Sequence, residues 1–435
     1  MGTINQLQKD IYNAAEKKNV SFSYHAQELY AFLSKAGTDI DQIDQDGWTP
    51  MHRAIEMNNI EIVKLLLFKY NGGNLNFENK YGSTPLTFAI VKGNLDIIEL
   101  LVNNGADTNF VNKYGLTPMT KAIVVQNINM VKFLCKNGAD LNMPDLKGCT
   151  PIKKAIMKDN LDILRILIDK GANVNLIDGK DYTPLTKAIT WNKIEVVRLL
   201  IENGADPNLP DPKGWTPLNN AIELNRLDLV KFLIEGGADL DLISGQLWTP
   251  LTFAINSDRA EITKLLIEKG ANINFPDGTN CTPLIQAIND DKLEIVKILI
   301  EKGADVNFVD NLLWTPITKA INDGKTEMIN LLIANGADLN LCTSGGFSPL
   351  QKAVYKDNLN VVKLLVENGA SVNTQDLCGG ASFHYAVMGN SVKIITYLIE
   401  NGADLKLRTK HFKNNSIELA LKGKTIDIVK KLIHH

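Results

Sequence analysis

The 435 residues contain only five cysteines and six histidines, and neither set is arranged for chemistry. Cys135, Cys149, Cys281, Cys342 and Cys378 form no CxxC pair and are odd in number, which excludes a disulfide framework and a zinc ribbon and leaves reduced thiols. Apart from the terminal His434 and His435, no histidine stands at metal-ligand spacing from another or from a cysteine, so no metal and no cofactor are expected. Long apolar runs are missing too: nothing approaches the roughly eighteen residues that cross a bilayer. Met1 to Val20 mixes Gln, Lys, Asp and Glu where a secretory leader needs an apolar stretch, and Gln6 stands where a myristoylation signal wants Ser or Thr. No membrane association is expected, and the location expected is the cytoplasm, or a host cell reached without a signal peptide. An excess of one charge is also absent. With 46 basic and 49 acidic residues, a net charge of -3 and no like-charge block, nucleic acid is not an expected partner.

What is present is a period. Thr-Pro pairs begin at Thr84, Thr117, Thr150, Thr183, Thr216, Thr249, Thr282 and Thr315, each 33 residues after the last, and Ser348-Pro349 and Ala381-Ser382 continue the spacing. At the edges it loosens, to 35 residues between Thr49 and Thr84 and 34 between Ala381 and Asn415. End units of a stack are expected to be irregular, because one side of each faces water.

Tyr81 to Asn112 serves as the pattern. Thr84 is a helix N-cap and Pro85 suits the first helical position, where its missing N–H had no partner to lose. Leu86, Ala89 and Ile90 recur at helical spacing, Gly93-Asn94 interrupts, and Leu95 to Val102 resumes with a broad apolar face. Gly105 stands where a left-handed C-cap is wanted, and Asn112-Lys113-Tyr114-Gly115 forms a turn before the next Thr-Pro. The chain therefore reads as short antiparallel helix pairs joined by hairpin-like fingers.

This pattern closely resembles the ankyrin repeat, with its T-P-L-x-x-A signature and with Gly-Ala-Asp at Gly105, Gly138, Gly204, Gly237, Gly303, Gly336 and Gly402. The resemblance implies an all-α repeat solenoid with β-hairpin fingers, of about twelve units plus an N-terminal cap. Residues 1–38 are expected to form a helical capping unit, 39–414 the 33-residue repeats and 415–435 a C-terminal capping repeat. The family's usual His after T-P-L appears only as His52 and His384; Thr87, Thr120, Thr186, Thr252 and Thr318 replace it, and a threonine can make the same kind of local polar contact.

Catalytic constellations do not emerge. Gly324-Lys325-Thr326 and Gly423-Lys424-Thr425 echo a phosphate loop, but the earlier glycine that such a loop requires is Lys319 in one case and Glu418 in the other. No G-x-S-x-G elbow is present. A non-enzymatic protein is expected, a monomer that holds a protein partner.

The positions free of stacking duty then carry the information. Just before Thr-Pro stand Trp48, Ser83, Leu116, Cys149, Tyr182, Trp215, Trp248, Cys281, Trp314 and Phe347, so four of five tryptophans share one position in the repeat. The fifth, Trp191, ends a first helix. The resemblance implies that partners are held on the concave face by finger tips and first-helix ends. The candidate partner-binding residues are accordingly Tyr182, Trp191, Trp215 and Trp248 as one aromatic group and Trp314, Phe347 and Tyr355 as another. Asp258, Asp290, Asp291, Asp323 and Asp357 lie in the turns after first helices, and the first four are taken as steering carboxylates. The plain alternative is rings laid over neighbouring fingers and a solvated polar turn. A lysine ladder, Lys121, Lys154, Lys187, Lys319 and Lys352, reads as stems covering apolar surface or as an anion-binding strip.

Three functions compete. The first is a scaffold holding a basic and apolar protein segment, with an effector of an intracellular bacterium binding a host protein as one variant. The second is a reader of a small cation such as methylated lysine, caged around Trp215 and Trp248. The third makes the protein a substrate, because Asn109, Asn142, Asn175, Asn208, Asn274, Asn307 and Asn340 resemble asparagines that asparaginyl hydroxylase modifies in ankyrin repeats. The stacking itself is testable. Deletion of Gly204 to Gly236, one whole period, is expected to leave a folded chain, since each unit contacts only its neighbours; circular dichroism and a cooperative melt check this, and a molten product refutes it.

Overall fold

The computed structural model describes residues 40–69, 72–179, 182–343 and 346–409. Both expected caps, 1–38 and 415–435, lie outside the described residues. The chain divides into two compact units, Met1–Pro212 and Lys213–His435.

In the first unit, five helix pairs follow one another: α1 (Pro50–Glu56) and α2 (Ile60–Lys69), α3 (Pro85–Lys92) and α4 (Leu95–Asn103), α5 (Pro118–Val124) and α6 (Ile128–Lys136), α7 (Pro151–Met157) and α8 (Leu161–Asp169), α9 (Pro184–Thr190) and α10 (Ile194–Glu202). Among the described residues the first unit has these five and the second has six. They are α11 (Pro217–Glu223) and α12 (Leu227–Glu235), α13 (Pro250–Asn256) and α14 (Ala260–Glu268), α15 (Pro283–Asn289) and α16 (Leu293–Glu301), α17 (Pro316–Asn322) and α18 (Thr326–Ala334), α19 (Pro349–Tyr355) and α20 (Leu359–Glu367), α21 (Ser382–Met388) and α22 (Val392–Glu400). Within each unit, every first helix packs on its own second helix and on the first helix of the next pair.

Every described first helix except α21, whose N-cap is Ala381, starts at the Thr-Pro or Ser-Pro pair that the sequence marks. Thr84 Oγ1 accepts from the Thr87 amide at 3.2 Å, the Thr84 amide donates to Thr87 Oγ1 at 2.8 Å, and Pro85 occupies the first turn. The same reciprocal box closes at Thr117–Thr120, Thr249–Thr252 and Thr315–Thr318. Threonine thus replaces the local half of a histidine's role. It does not replace the long-range half: His52 also reaches the Ser83 carbonyl at 2.8 Å in the following finger, a span too long for threonine. Gln351, at the equivalent place, covers that span by donating to the Gly380 carbonyl at 2.7 Å. Burial holds His52 down to about 4, so it is a neutral bridge.

The apolar faces meet between the helices. Leu86, Ala89 and Ile90 of α3 and Ile97, Ile98 and Leu101 of α4 are buried, as are Leu284, Ala287 and Ile288 of α15 against Ile295, Val296 and Leu299 of α16. The turn between paired helices needs one residue in the left-handed region. Gly93 and Gly324 supply it at φ 79° and 71°, and elsewhere polar side chains do, Asp258 at φ 59° and Asp291 at φ 60° among them.

The fingers are tighter than the hairpins expected from the sequence. Among the described residues they contain no strand, and most are turns nucleated by one side chain at a 33-residue interval. Asp145 Oδ1 accepts from the Lys147 and Cys149 amides at 2.9 and 2.8 Å, and Asn112 Oδ1 from Tyr114 and Leu116 at 3.0 and 2.8 Å. Neighbouring fingers touch backbone to backbone, Gly179 donating to the Gly148 carbonyl at 3.1 Å. A Cβ on Gly148 would lie 2.4 Å from the Gly179 Cα, and its φ is +70°, so only glycine fits.

A further side chain, asparagine in most repeats and Asp241 in one, ties successive loops. Asn307 Oδ1 accepts from the Asp338 amide at 2.7 Å and its Nδ2 donates to the Gly336 carbonyl at 3.2 Å; Asn109, Asn175, Asn274 and Asn373 make the same pair of hydrogen bonds. Asn307→Ala is expected to destabilise the second unit by about 1–2 kcal/mol, the cost of two bonds near solvent, with urea unfolding as the measurement.

Candidate functional site

Two positions of the repeat converge on one face. One is the last finger residue, just before the N-cap; the other is the third residue after the helix-initial proline. In the first unit, Trp48 meets Phe88 edge-on at 4.8 Å between ring centroids, and Arg53 lies over the Trp48 ring at 5.2 Å. The Lys187 ammonium sits 3.3 Å above the Tyr182 ring. Trp191 follows α9 as its C-cap residue and is 39% exposed.

The second unit carries the larger group. Trp215 and Trp248 both pack on Phe253 of α13, at 5.2 Å edge-on and 5.7 Å stacked, while Phe253 itself is 4% exposed. Farther along, Lys352 lies over the Trp314 ring at 4.4 Å and Lys319 at 6.0 Å. Phe347 contacts Tyr355 at 6.4 Å and Tyr385 at 5.0 Å, and Tyr355 is 68% exposed.

The lysine ladder is therefore no separate strip. Lys187, Lys319 and Lys352 spend their charges on the finger rings, and Lys154 spends its charge on Asp145 at 2.7 Å. Burial, and then Lys356, push the Lys352 ammonium below the ordinary lysine value. Burial works to raise Asp145, yet the Lys154 bond and backbone donors hold it below the usual carboxylate range.

The acidic residues singled out from the sequence are also engaged. Asp258 pairs with Lys292 at 2.9 Å and Asp291 with Lys325 at 3.5 Å, each lysine belonging to the next helix pair. Asp290 accepts from Gln286 Nε2 at 2.7 Å, and Asp323 pairs with Lys319 at 3.3 Å. Asp258 and Asp291 owe their places partly to the left-handed backbone described above, a constraint that the sequence reading did not weigh. Phe253 was missed as well. Its signal was a phenylalanine where sister repeats carry lysine, at the same place as Phe88 beneath Trp48.

Tyr182 and Trp191 belong to the first compact unit and the remaining candidates to the second. Among the described residues, no three His, Cys, Asp or Glu side chains are grouped to hold a metal ion. No helix of those residues is long and apolar enough to cross a membrane. What the face offers chemically is a row of half-buried rings with ammonium groups laid across them, a surface for contact with another molecule.

This fold and face define a class, a repeat array whose inter-repeat positions hold it up while the finger positions vary. Family models described as ankyrin repeats match residues 19–112, 98–178, 175–244, 241–310, 284–376 and 355–399, and the chain belongs to the ankyrin repeat family. Ankyrin repeats are in general protein–protein interaction modules. Among curated proteins, the chain is 37% identical over 62 residues to an ankyrin repeat protein of Rickettsia bellii, covering 14% of this chain and 36% of that one. It is 32% identical over 87 residues to 26S proteasome regulatory subunit p28 of Saccharomyces cerevisiae, covering 19% and 38%. To ankyrin repeat protein OPG189 of monkeypox virus it is 36% identical over 66 residues, covering 15% and 11%. The chain thus spans well under half the length of these relatives.

Phe253→Ala is expected to cost about 3 kcal/mol, because it empties a buried site and removes the ring beneath both tryptophans. Denaturant melts measure the loss, and a red shift of tryptophan emission reports the loosened Trp215 and Trp248.

Proposed function

We propose that the protein is a non-catalytic interaction scaffold that holds a protein segment carrying apolar and basic groups on the face formed by its fingers and first helices. The observation that carries this reading is the Trp215–Phe253–Trp248 trio. A buried phenylalanine fixes two half-buried tryptophans at the fingers, and rigid, partly exposed tryptophans are what binding hot spots are made of. Trp314, Phe347 and Tyr355 extend the aromatic surface of the second unit, and Tyr182 with Trp191 provide the corresponding group in the first. Asp258, Asp290, Asp291 and Asp323 act at the rim, where their lysine and glutamine partners exchange for a partner's cations; their effect falls on association rate more than on affinity. Action in the cytoplasm, of its own cell or of a host, belongs to the same proposal.

The cation-cage alternative gains less from the geometry. Centroid separations of 5.2 and 5.7 Å are those of rings packed on a ring, and the third ring between the tryptophans is a protein side chain. The hydroxylation alternative must contend with asparagines that already hold the loops together through both amide atoms.

The test is an affinity capture with the intact chain beside Trp215→Ala with Trp248→Ala, followed by titration of the captured protein. At least a tenfold loss of affinity is expected, the scale of one hot-spot tryptophan at about 2 kcal/mol, with the melting transition still cooperative. Unchanged affinity in the double variant places the binding surface elsewhere.

A further inference from the structure

Most finger turns open on an aspartate or asparagine whose first oxygen caps its own backbone. Where that side chain is a carboxylate, the second oxygen needs a donor, and in three fingers the residue nine positions on supplies it. Asp44 Oδ2 accepts from Arg53 Nε at 2.7 Å, Asp145 Oδ2 from Lys154 Nζ at 2.7 Å, and Asp376 Oδ2 from the Tyr385 hydroxyl.

At Asp178 the donor is Lys153 instead, and the finger that opens at Asp277 has none. Its Oδ1 accepts from the Thr279 and Cys281 amides at 2.8 and 3.0 Å and from the Thr279 hydroxyl at 2.7 Å, as a finger should. Its Oδ2 is buried and has no hydrogen-bond partner among the described residues, in a side chain of a residue only 4% exposed. Nine positions on stands Gln286, which turns its amide to Asp290 at 2.7 Å instead. The finger of Asp145 is an internal control. It has the same aspartate and the same cysteine four residues later, Cys149 against Cys281, and differs in having Lys154 where this one has Gln286.

The surroundings of the orphan oxygen are negative. The Cys281 thiol is pushed up to about 12, by burial first and then by the carboxylates of Asp277, Asp310 and Asp290; Lys319 opposes them least. Lys319 is itself committed to Asp323 at 3.3 Å. A buried carboxylate oxygen without a donor is costly, and a cation delivered to it offsets that cost. Cys281 is also the one small side chain in a row that runs Trp215, Trp248, Cys281, Trp314, Phe347, so the approach at this finger is the least obstructed by its own ring. With no grouping suited to a metal among the described residues, the fitting occupant is an organic cation.

We propose that Asp277 is the floor of a socket for one lysine or arginine side chain of a protein partner, which supplies in trans the donor that Lys154 supplies to Asp145 within the chain. Asp290 stands at the rim, and Gln286 gives way as the cation enters. The inference rests on the reading of this face as a partner-binding surface and names the chemistry that one point of the partner must carry.

The test needs no partner. The full chain is titrated with N-acetyl-L-arginine amide, and with the uncharged N-acetyl-L-citrulline amide as isostere, while the amide resonances of Thr279 and Cys281 are followed by NMR. Saturable shifts are expected with the arginine probe and not with citrulline. Gln286→Lys fills the socket from within; it is expected to raise the melting temperature and to weaken the arginine response at least about tenfold, as loss of an accessible buried charge partner does. Asp277→Asn is expected to abolish the response. No response in the unaltered chain, an equal response to citrulline, or an undiminished response in Gln286→Lys each overturns the socket. Such a failure is distinguishable from failure of the scaffold reading, which is judged by the tryptophan variants alone.

Discussion

None of the described helices can support itself. The first helices run to seven or eight residues and most second helices to nine, lengths at which an isolated helix is unstable in water because nucleation is not repaid by propagation. Stacking on the next pair is the constraint on which everything else depends. It explains why each first helix buries an alanine between two larger apolar side chains at fixed spacing, why most finger turns are pinned by a side chain, and why the bonds between repeats are made by short polar groups of fixed reach.

Two kinds of polar ladder hold the loops where the helices cannot. One is the finger aspartate or asparagine that accepts from amides two and four residues on; the other is the asparagine that bridges to the following loop. Both satisfy backbone groups that a strand would otherwise pair, and so the fingers are turns rather than extended hairpins. Because these side chains carry the loop bonds, the residue just before each N-cap is released from that duty. Tryptophan, tyrosine, cysteine and serine all occur there without disturbing the period.

That freedom is only partial. The released residue faces the third residue after the helix proline, so the two positions vary as a pair. Trp48 takes Phe88 and Arg53, Trp215 and Trp248 share Phe253, Tyr182 carries Lys187, and Trp314 carries Lys352. A ring and a cation in contact each cover the other's exposed surface, worth about 0.5–1 kcal/mol at a site open to water. The rings and ammonium groups of this face thereby hold one another in place.

The sequence by itself determined the repeat, its period, the helix starts at Thr-Pro and the core positions of each helix, since these depend on local capping and on 3.6-residue periodicity that one unit displays and the next repeats. It also placed the aromatic residues at one position of the repeat. Only the tertiary structure decided what those residues touch. That Lys187 lies on Tyr182, that Phe253 carries two tryptophans, that Asp258 and Asp291 are claimed by the left-handed turn and by lysines of the next pair, and that the Asp277 Oδ2 is left without a donor are consequences of distances between residues 5 to 38 positions apart. The reason is physical: periodicity reports which side of an element is buried, whereas the partner of a charge or a ring is set by how far one repeat is displaced against the next.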